Sequence, residues 1–382
     1  MQNFTYYNPT RVVFGKGTIA QLNELVPADR RILLTYGGGS IHKNGVYDQV
    51  REALGGRTTL EFGGIEPNPR YETLVRAVDL CRKEKIDYLL AVGGGSVLDG
   101  TKFISAAVAH RGGDPWDIVA AAAPVTQALP IGCVLTLPAT GSETNGFAVI
   151  SRQSTREKLA FSSPLVFPQF AILDPETTYT LPRRQVQNGI ADAFVHVMEQ
   201  YLTYPAAAPL QDRQAEAILR TLIEEGPKTL RRPRHYAARA NLVWCATQAL
   251  NGLINCGVPQ DWATHAIGHE LTALYGLDHA QTLVIVLPAL WQHQKRFKQA
   301  KLVQYAQRVW GVRSSRDAAA VAIGKTEEFF RSLGMKTRLS EHGIGRDGFE
   351  EVADRFARRG QRLGERQRIG SRQVREILER CL

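Results

Sequence analysis

The strongest constraint in this chain is a set of short apolar runs that end in glycine. Tyr88-Leu89-Leu90-Ala91-Val92 leads into Gly93-Gly94-Gly95-Ser96, and Arg31-Ile32-Leu33-Leu34-Thr35-Tyr36 into Gly37-Gly38-Gly39-Ser40. Neither run alternates apolar with polar residues, so each reads as a strand buried on both faces. Ile131 to Leu137 is a third such run, stopped by Pro138. Helical periodicity fills the intervals, at 71–84 and 100–109. Strand, turn and helix in alternation predict a parallel sheet covered by helices on both sides.

The pattern changes near Leu173-Asp174-Pro175 and Leu181-Pro182. Beyond this point apolar residues recur every three or four positions, at 185–202, 211–225, 236–253, 261–275, 349–359 and 371–382. A chain of 382 residues is long enough for two domains. The expected architecture is an α/β N-terminal dinucleotide-binding domain over 1–180, followed by an all-α C-terminal metal-binding domain over 181–382.

The run from Gly93 to Lys102 follows a strand and opens a helix. Glycines let a ligand approach the backbone, and the N–H groups of a helix start favour phosphate. Leu98 stands where a dinucleotide fingerprint would carry its last glycine, and no Walker spacing is present. Taken alone, the loop is equally compatible with a tight turn. The second loop, Gly37 to Ser40, tilts the reading toward two ends of one dinucleotide. NAD sites commonly hold the ribose 2′-hydroxyl with a carboxylate at a strand end. Here that neighbourhood holds Gly38, Gly39 and Ser40 with Lys43 nearby, which favours NADP.

A third feature joins carboxylate to imidazole. Asp192 and His196 are four residues apart, as are His265 and His269, and His279 follows. On helices such pairs share a face. A set of imidazoles and a carboxylate without thiolate suits Zn²⁺, Fe²⁺, Mn²⁺ or Co²⁺, and the sequence alone does not choose among them. Spacing does not decide which of His265 and His269 binds metal.

These residues together resemble the iron-containing (group III) alcohol dehydrogenases. The resemblance rests on Phe14-Gly15-Lys16-Gly17, Gly93 to Asp99, Thr140-Gly141-Ser142-Glu143 and the Asp/His set. Phe62 to Pro69 and Val258 to His265 look like the branch of NADPH-dependent aldehyde reductases, or butanol dehydrogenases. The resemblance implies Asp192, His196, His265 and His279 as metal ligands and His269 as a proton relay. It implies that Gly93, Gly94, Gly95, Ser96 and Asp99 hold the pyrophosphate and a ribose. Gly37, Gly38, Gly39 and Ser40 would take the 2′-phosphate, and Asn68, Thr136, Thr140, Asn145, Lys158 and Tyr179 would line the cofactor. The activity implied is reversible aldehyde reduction by hydride transfer from NADPH, in a homodimer. Related alternatives are a glycerol-type dehydrogenase and a dehydroquinate-synthase-like lyase.

Charge and cysteine bound the setting. The formal net charge is +10, and 21 Lys and Arg stand against 11 Asp and Glu in residues 292–382, while the rest of the chain is balanced. Between Arg355 and Arg380 only Phe356 is aromatic, poor material for stacking bases. The excess therefore reads as solvated helix faces rather than a specific nucleic-acid site. Five cysteines without a C-x-x-C pair, and no long apolar run, point to a reduced, cytoplasmic enzyme acting on small molecules, away from membranes.

Overall fold

The structure, a computed structural model, describes residues 1–313 and 317–382. Its strands are β1 (Arg11–Phe14), β2 (Ile32–Tyr36), β3 (Thr59–Phe62), β4 (Tyr88–Gly94), β5 (Ile131–Leu137), β6 (Phe147–Arg152), β7 (Glu157–Ser162) and β8 (Phe170–Leu173). The helices are α1 (Leu22–Leu25), α2 (Ser40–Lys43), α3 (Val46–Leu54), α4 (Tyr71–Glu84), α5 (Gly95–Ala109), α6 (Asp117–Ala120), α7 (Arg183–Tyr201), α8 (Pro209–Arg231) and α9 (Tyr236–Ala249). They continue with α10 (Ala263–Tyr275), α11 (His279–Arg308), α12 (Ala318–Ser332), α13 (Phe349–Arg358) and α14 (Ser371–Arg380).

Two compact units result. One comprises Tyr7–Pro182 and Arg232–Thr247, the other Met1–Tyr6, Arg183–Arg231 and Gln248–Leu382. The first is built on a parallel six-stranded sheet of order β1-β8-β5-β4-β2-β3, with β6 and β7 as a separate antiparallel hairpin. Alternate residues of each central strand feed two apolar clusters. Leu33, Leu89, Ala91, Cys133 and Leu135 face α4 and α5, while Ile32, Leu34, Leu90, Val92 and Val134 face α3. This accounts for the uninterrupted apolar runs, because a strand covered on both sides needs no polar face.

Strand order also places the glycine loops. The chain runs from β2 to β3 on one side and returns with β4 on the other, so the direction of winding reverses between β2 and β4. Tyr36 pairs with Val92, so the loops after these strands emerge side by side at the carboxyl edge of the sheet. Ligands of open α/β sheets bind at such a reversal.

The second unit is helical. Helix α11 is its spine, with Leu283 to Leu287 and Leu290 fully buried. The basic C-terminal quarter is only partly the solvated surface expected of it. Lys298, Lys301 and Arg355 are buried, each paired with a carboxylate. Among the described residues no helix is long and apolar enough to cross a membrane, and all five cysteines are buried and free.

Candidate active site

In the helical unit Asp192 and His196 lie one turn apart on α7, His265 and His269 one turn apart on α10, and His279 opens α11. Local packing brings the three helices together. Asp278, just ahead of α11, accepts hydrogen bonds from Arg184 and Asn188 of α7, the latter at 2.8 Å. Gly268 lets α10 approach α11, since a Cβ there would lie 2.9 Å from Thr282 Oγ1.

One oxygen of Asp192 and one ring nitrogen each of His265 and His279 lie within 4.8 Å of one another. Asp192 Oδ1 is 3.7 Å from His279 Nε2 and 3.7 Å from His196 Nε2. The His196 ring stacks on that of His265 with centroids 4.7 Å apart. His196 thus borders the compact trio, and the His269 ring lies 4.9 Å from that of His279.

The donor set fits a divalent cation. Two donors about 2.1 Å from one ion at a tetrahedral angle sit about 3.4 Å apart, close to the observed spacing. Asp192 Oδ1 is buried and accepts no hydrogen bond, a costly state for a carboxylate that a bound cation relieves.

A residue that sequence reasoning passed over stands behind the trio. Glu199 Oε1 lies 3.1 Å from His265 Nδ1 and accepts the His265 backbone N–H at 3.0 Å. A carboxylate at Nδ1 fixes the tautomer whose lone pair is on Nε2, the usual support for a metal-binding histidine. Burial pushes the Glu199 carboxyl up, and Asp261 adds to this, while the His265 N–H and Lys298 oppose it. Its sequence signal was its position, seven residues after Asp192 and three after His196, on the same helix face. Trp262, immediately before α10, has φ 59°, a left-handed backbone that costs a non-glycine residue about 1–3 kcal/mol. Its ring packs 5.2 Å from that of His265 and 6.2 Å from that of His196.

In the α/β unit the glycines are required by the protein as much as by a ligand. A Cβ at Gly93 would meet Val97 at 2.5 Å, at Gly94 Leu137 at 2.8 Å, and at Gly95 Thr140 at 2.5 Å. Helix α5 starts at Gly95, five residues earlier than its periodicity suggests, and no side chain caps its first turn. Its N–H groups with Ser96 therefore suit an anion. Gly37 to Ser40 stand beside this turn with no carboxylate among them, and Lys43 and His42 are exposed close by.

The remaining expected cofactor residues surround the same edge. Lys158 Nζ donates to Asn68 Oδ1 at 2.8 Å, and the Asn68 N–H donates to Ser96 Oγ at 3.3 Å. Thr140 Oγ1 accepts from the Ser142 N–H. Thr136 is buried and Tyr179 half-buried. Asp99 and Asn145 hold protein together here: Asp99 accepts from Ser142 Oγ at 2.7 Å and from the Val149 N–H at 3.0 Å, and Asn145 Oδ1 accepts from Lys102 at 3.0 Å. Lys102, fully buried, also donates to Ser142 Oγ and the Phe147 carbonyl, each at 2.8 Å.

A parallel nucleotide-type sheet and a helical carboxylate–imidazole cluster in one chain mark a metal-dependent dehydrogenase. Comparison with known families agrees, and the chain belongs to the iron-containing alcohol dehydrogenases. The family's model matches residues 9–175, and that of the Fe-containing alcohol dehydrogenase C-terminal region matches 186–382. The chain is 56% identical to the NADPH-dependent aldehyde reductase YqhD of Escherichia coli over 99% of both chains. It is 45% identical to NADP-dependent alcohol dehydrogenase 3 of Entamoeba histolytica over 93% of both. The crystal structure of the E. coli protein superposes with TM-score 0.99, covering 100% of this chain and 99% of that one. The NADH-dependent butanol dehydrogenase A of Thermotoga maritima, 36% identical, superposes with TM-score 0.94 over 100% and 99%.

Proposed function

We propose that this protein reduces aldehydes to alcohols, reversibly, with NADPH and one divalent metal ion. The observation that carries the reading is the convergence of Asp192, His265 and His279, braced by Glu199, in a member of this family. Asp192, His196, His265 and His279 would hold the cation, Zn²⁺ or Fe²⁺ before Mn²⁺, Co²⁺ or Ni²⁺. When bound, the cation acts as a Lewis acid toward a carbonyl and the reduced nicotinamide is the hydride donor.

The chain's own residues supply position and protons. The first-turn N–H groups of α5, with Gly93, Gly94, Gly95, Ser96 and Asp99, would hold the pyrophosphate and the nearby ribose. Gly37 to Ser40 and Lys43 receive the 2′-phosphate. Asn68, Thr136, Thr140, Asn145, Lys158 and Tyr179 line the nucleotide. His269, or a water in its place, would supply the proton that converts the oxygen of the reduced carbonyl into the alcohol hydroxyl. Relatives differ in coenzyme by name, so the NADP preference rests on the absence of a carboxylate between Gly37 and Ser40. The position of β1 at the edge of the sheet and the exposed rings of Phe14 and Trp244 support a homodimer. The buried free thiols support a reducing, cytoplasmic setting.

The deciding experiment is Asp192→Ala, read by elemental analysis and by NADPH oxidation with butanal. Metal content should fall to background and activity by on the order of 100-fold or more, with the circular dichroism spectrum retained. A metal-free variant at wild-type rate would overturn the mechanism.

A further inference from the structure

Helix α10, which carries His265 and His269, is held through a carboxylate on each side of the histidines. Ahead of them, Asp261 Oδ2 lies 2.7 Å from Lys298 Nζ. Lys298 also donates to Glu365 at 2.9 and 3.0 Å and to the Leu202 carbonyl at 2.7 Å. Asp261 Oδ1 accepts the Ala263 N–H at 3.1 Å, and the Asp261 N–H donates to the Glu199 carbonyl at 2.9 Å. Beyond the histidines, Glu270 accepts from Arg355 Nη1 at 3.0 Å and from Arg359 Nη1 at 2.5 Å. Lys298, Asp261, Glu270 and Arg355 are all buried.

These cations all belong to the basic C-terminal quarter, and they converge on the one helix that supplies both His265 and His269. A buried ion pair contributes little net stability, because desolvation offsets the attraction, but it fixes geometry. Geometry needs fixing here. The turn into α10 passes through the left-handed Trp262, whose ring packs on the rings of His196 and His265. Strained backbone persists where its surroundings over-determine it, and Lys298 with Asp261 do so one residue away.

We propose that the basic C-terminal quarter is a positioning clamp. Lys298 on one side, and Arg355 with Arg359 on the other, grip α10 by Asp261 and Glu270 and so set the placement of the metal-facing histidines. The inference rests on the metal reading above and assigns these cations a task within it.

Cobalt(II) titration of the metal-stripped full chain tests it, with affinity read by calorimetry and ligand geometry by the visible Co²⁺ bands. Arg359→Met, Glu270→Gln and Lys298→Met should each weaken Co²⁺ binding roughly 10-fold and shift the bands, while NADPH binding, followed by fluorescence, stays unchanged. Arg359 is half-buried, so its variant provides a folded case even if Lys298→Met does not accumulate. Arg355→Lys should recover part of what Arg355→Met loses. Lowered urea midpoints with wild-type Co²⁺ affinity and spectrum would make the clamp purely structural and overturn the proposal. Asp192→Ala separates the two levels. If it binds Co²⁺ as wild type does, the metal reading itself fails; if it does not while the clamp variants bind normally, only the clamp fails.

Discussion

At Gly38 an added Cβ would meet no atom within 4 Å, and the backbone lies outside the left-handed region. Gly38→Asp therefore has room for its Cβ and needs no strained backbone, so its main effect is electrostatic. Two like charges about 4 Å apart repel by about 1–4 kcal/mol near a protein surface. KM for NADPH should rise roughly 10-fold or more while that for NADH changes little or falls. Steady-state kinetics with both coenzymes check this, and an unmoved ratio would remove the 2′-phosphate from this loop. Helix spacing brought out the pairs Asp192 with His196 and His265 with His269, but the choice of His265 over His269 and the inclusion of His279 came from the family resemblance. Glu199 was not legible, since a helical glutamate ordinarily reads as solvated surface, and only the fold carries it to His265 Nδ1. The left-handed Trp262 was equally hidden, because no local signal favours that backbone in tryptophan.

Between helix α5 and the hairpin strand β6 the joint is Lys102, whose three acceptors, Ser142, Asn145 and Phe147, belong to the segment entering that strand. Burial pushes its ammonium down to about 8 from the ordinary 10.5, against the pull of Asp99 and Glu143. The unfolded chain keeps this proton up to the ordinary value. Between the two values the folded protein therefore binds fewer protons than the unfolded one, and stability rises with pH across that window. Lys102→Met strands buried acceptors and should cost about 1–3 kcal/mol. The gap between wild type and variant should widen from pH 8 toward 10.5, as read by urea unfolding at stepped pH; a gap flat across that range would contradict the assignment. The helix at 71–84 and the strand at 131–137 are seen as expected, whereas α3, α12 and the hairpin of β6 and β7 are not among the elements expected from the sequence. The four-residue strands β1, β3 and β8 are too short for a period to register. Helix α11 lacks an amphipathic face because its first half is buried nearly all round, and it contains Pro288. The periodicity of α5 begins only at Gly100, because a glycine such as Gly95 costs about 1 kcal/mol in a helix. Close packing of Gly95 against Thr140 overrides that preference.

Across the whole molecule, the two kinds of chemistry belong to different units. Every proposed metal ligand lies on α7, α10 or α11, and every proposed nucleotide contact lies between Gly37 and Tyr179. The sequence changes its period near residue 180 and shows where the charge excess lies, but it carries no hint that Met1–Tyr6 group with the helical unit and Arg232–Thr247 with the α/β unit, or that part of the excess is buried against α10. Because a ligand stabilises only what it binds, metal removal should act on one unit. A metal at about 100 times its Kd contributes about 2.7 kcal/mol, and for a unit of roughly 200 residues that corresponds to a melting shift of about 5–10 °C. Chelation should therefore lower Tm by this amount and raise deuterium uptake in α7, α10 and the first turns of α11, leaving β4 and α5 unchanged. NADPH added to the stripped protein should protect β4, α5 and the Gly37 to Ser40 loop instead. Hydrogen exchange resolved by peptide distinguishes these patterns. Uniform deprotection of both units on chelation would mean that the cation supports the fold as a whole and would count against its confinement to Asp192, His196, His265 and His279.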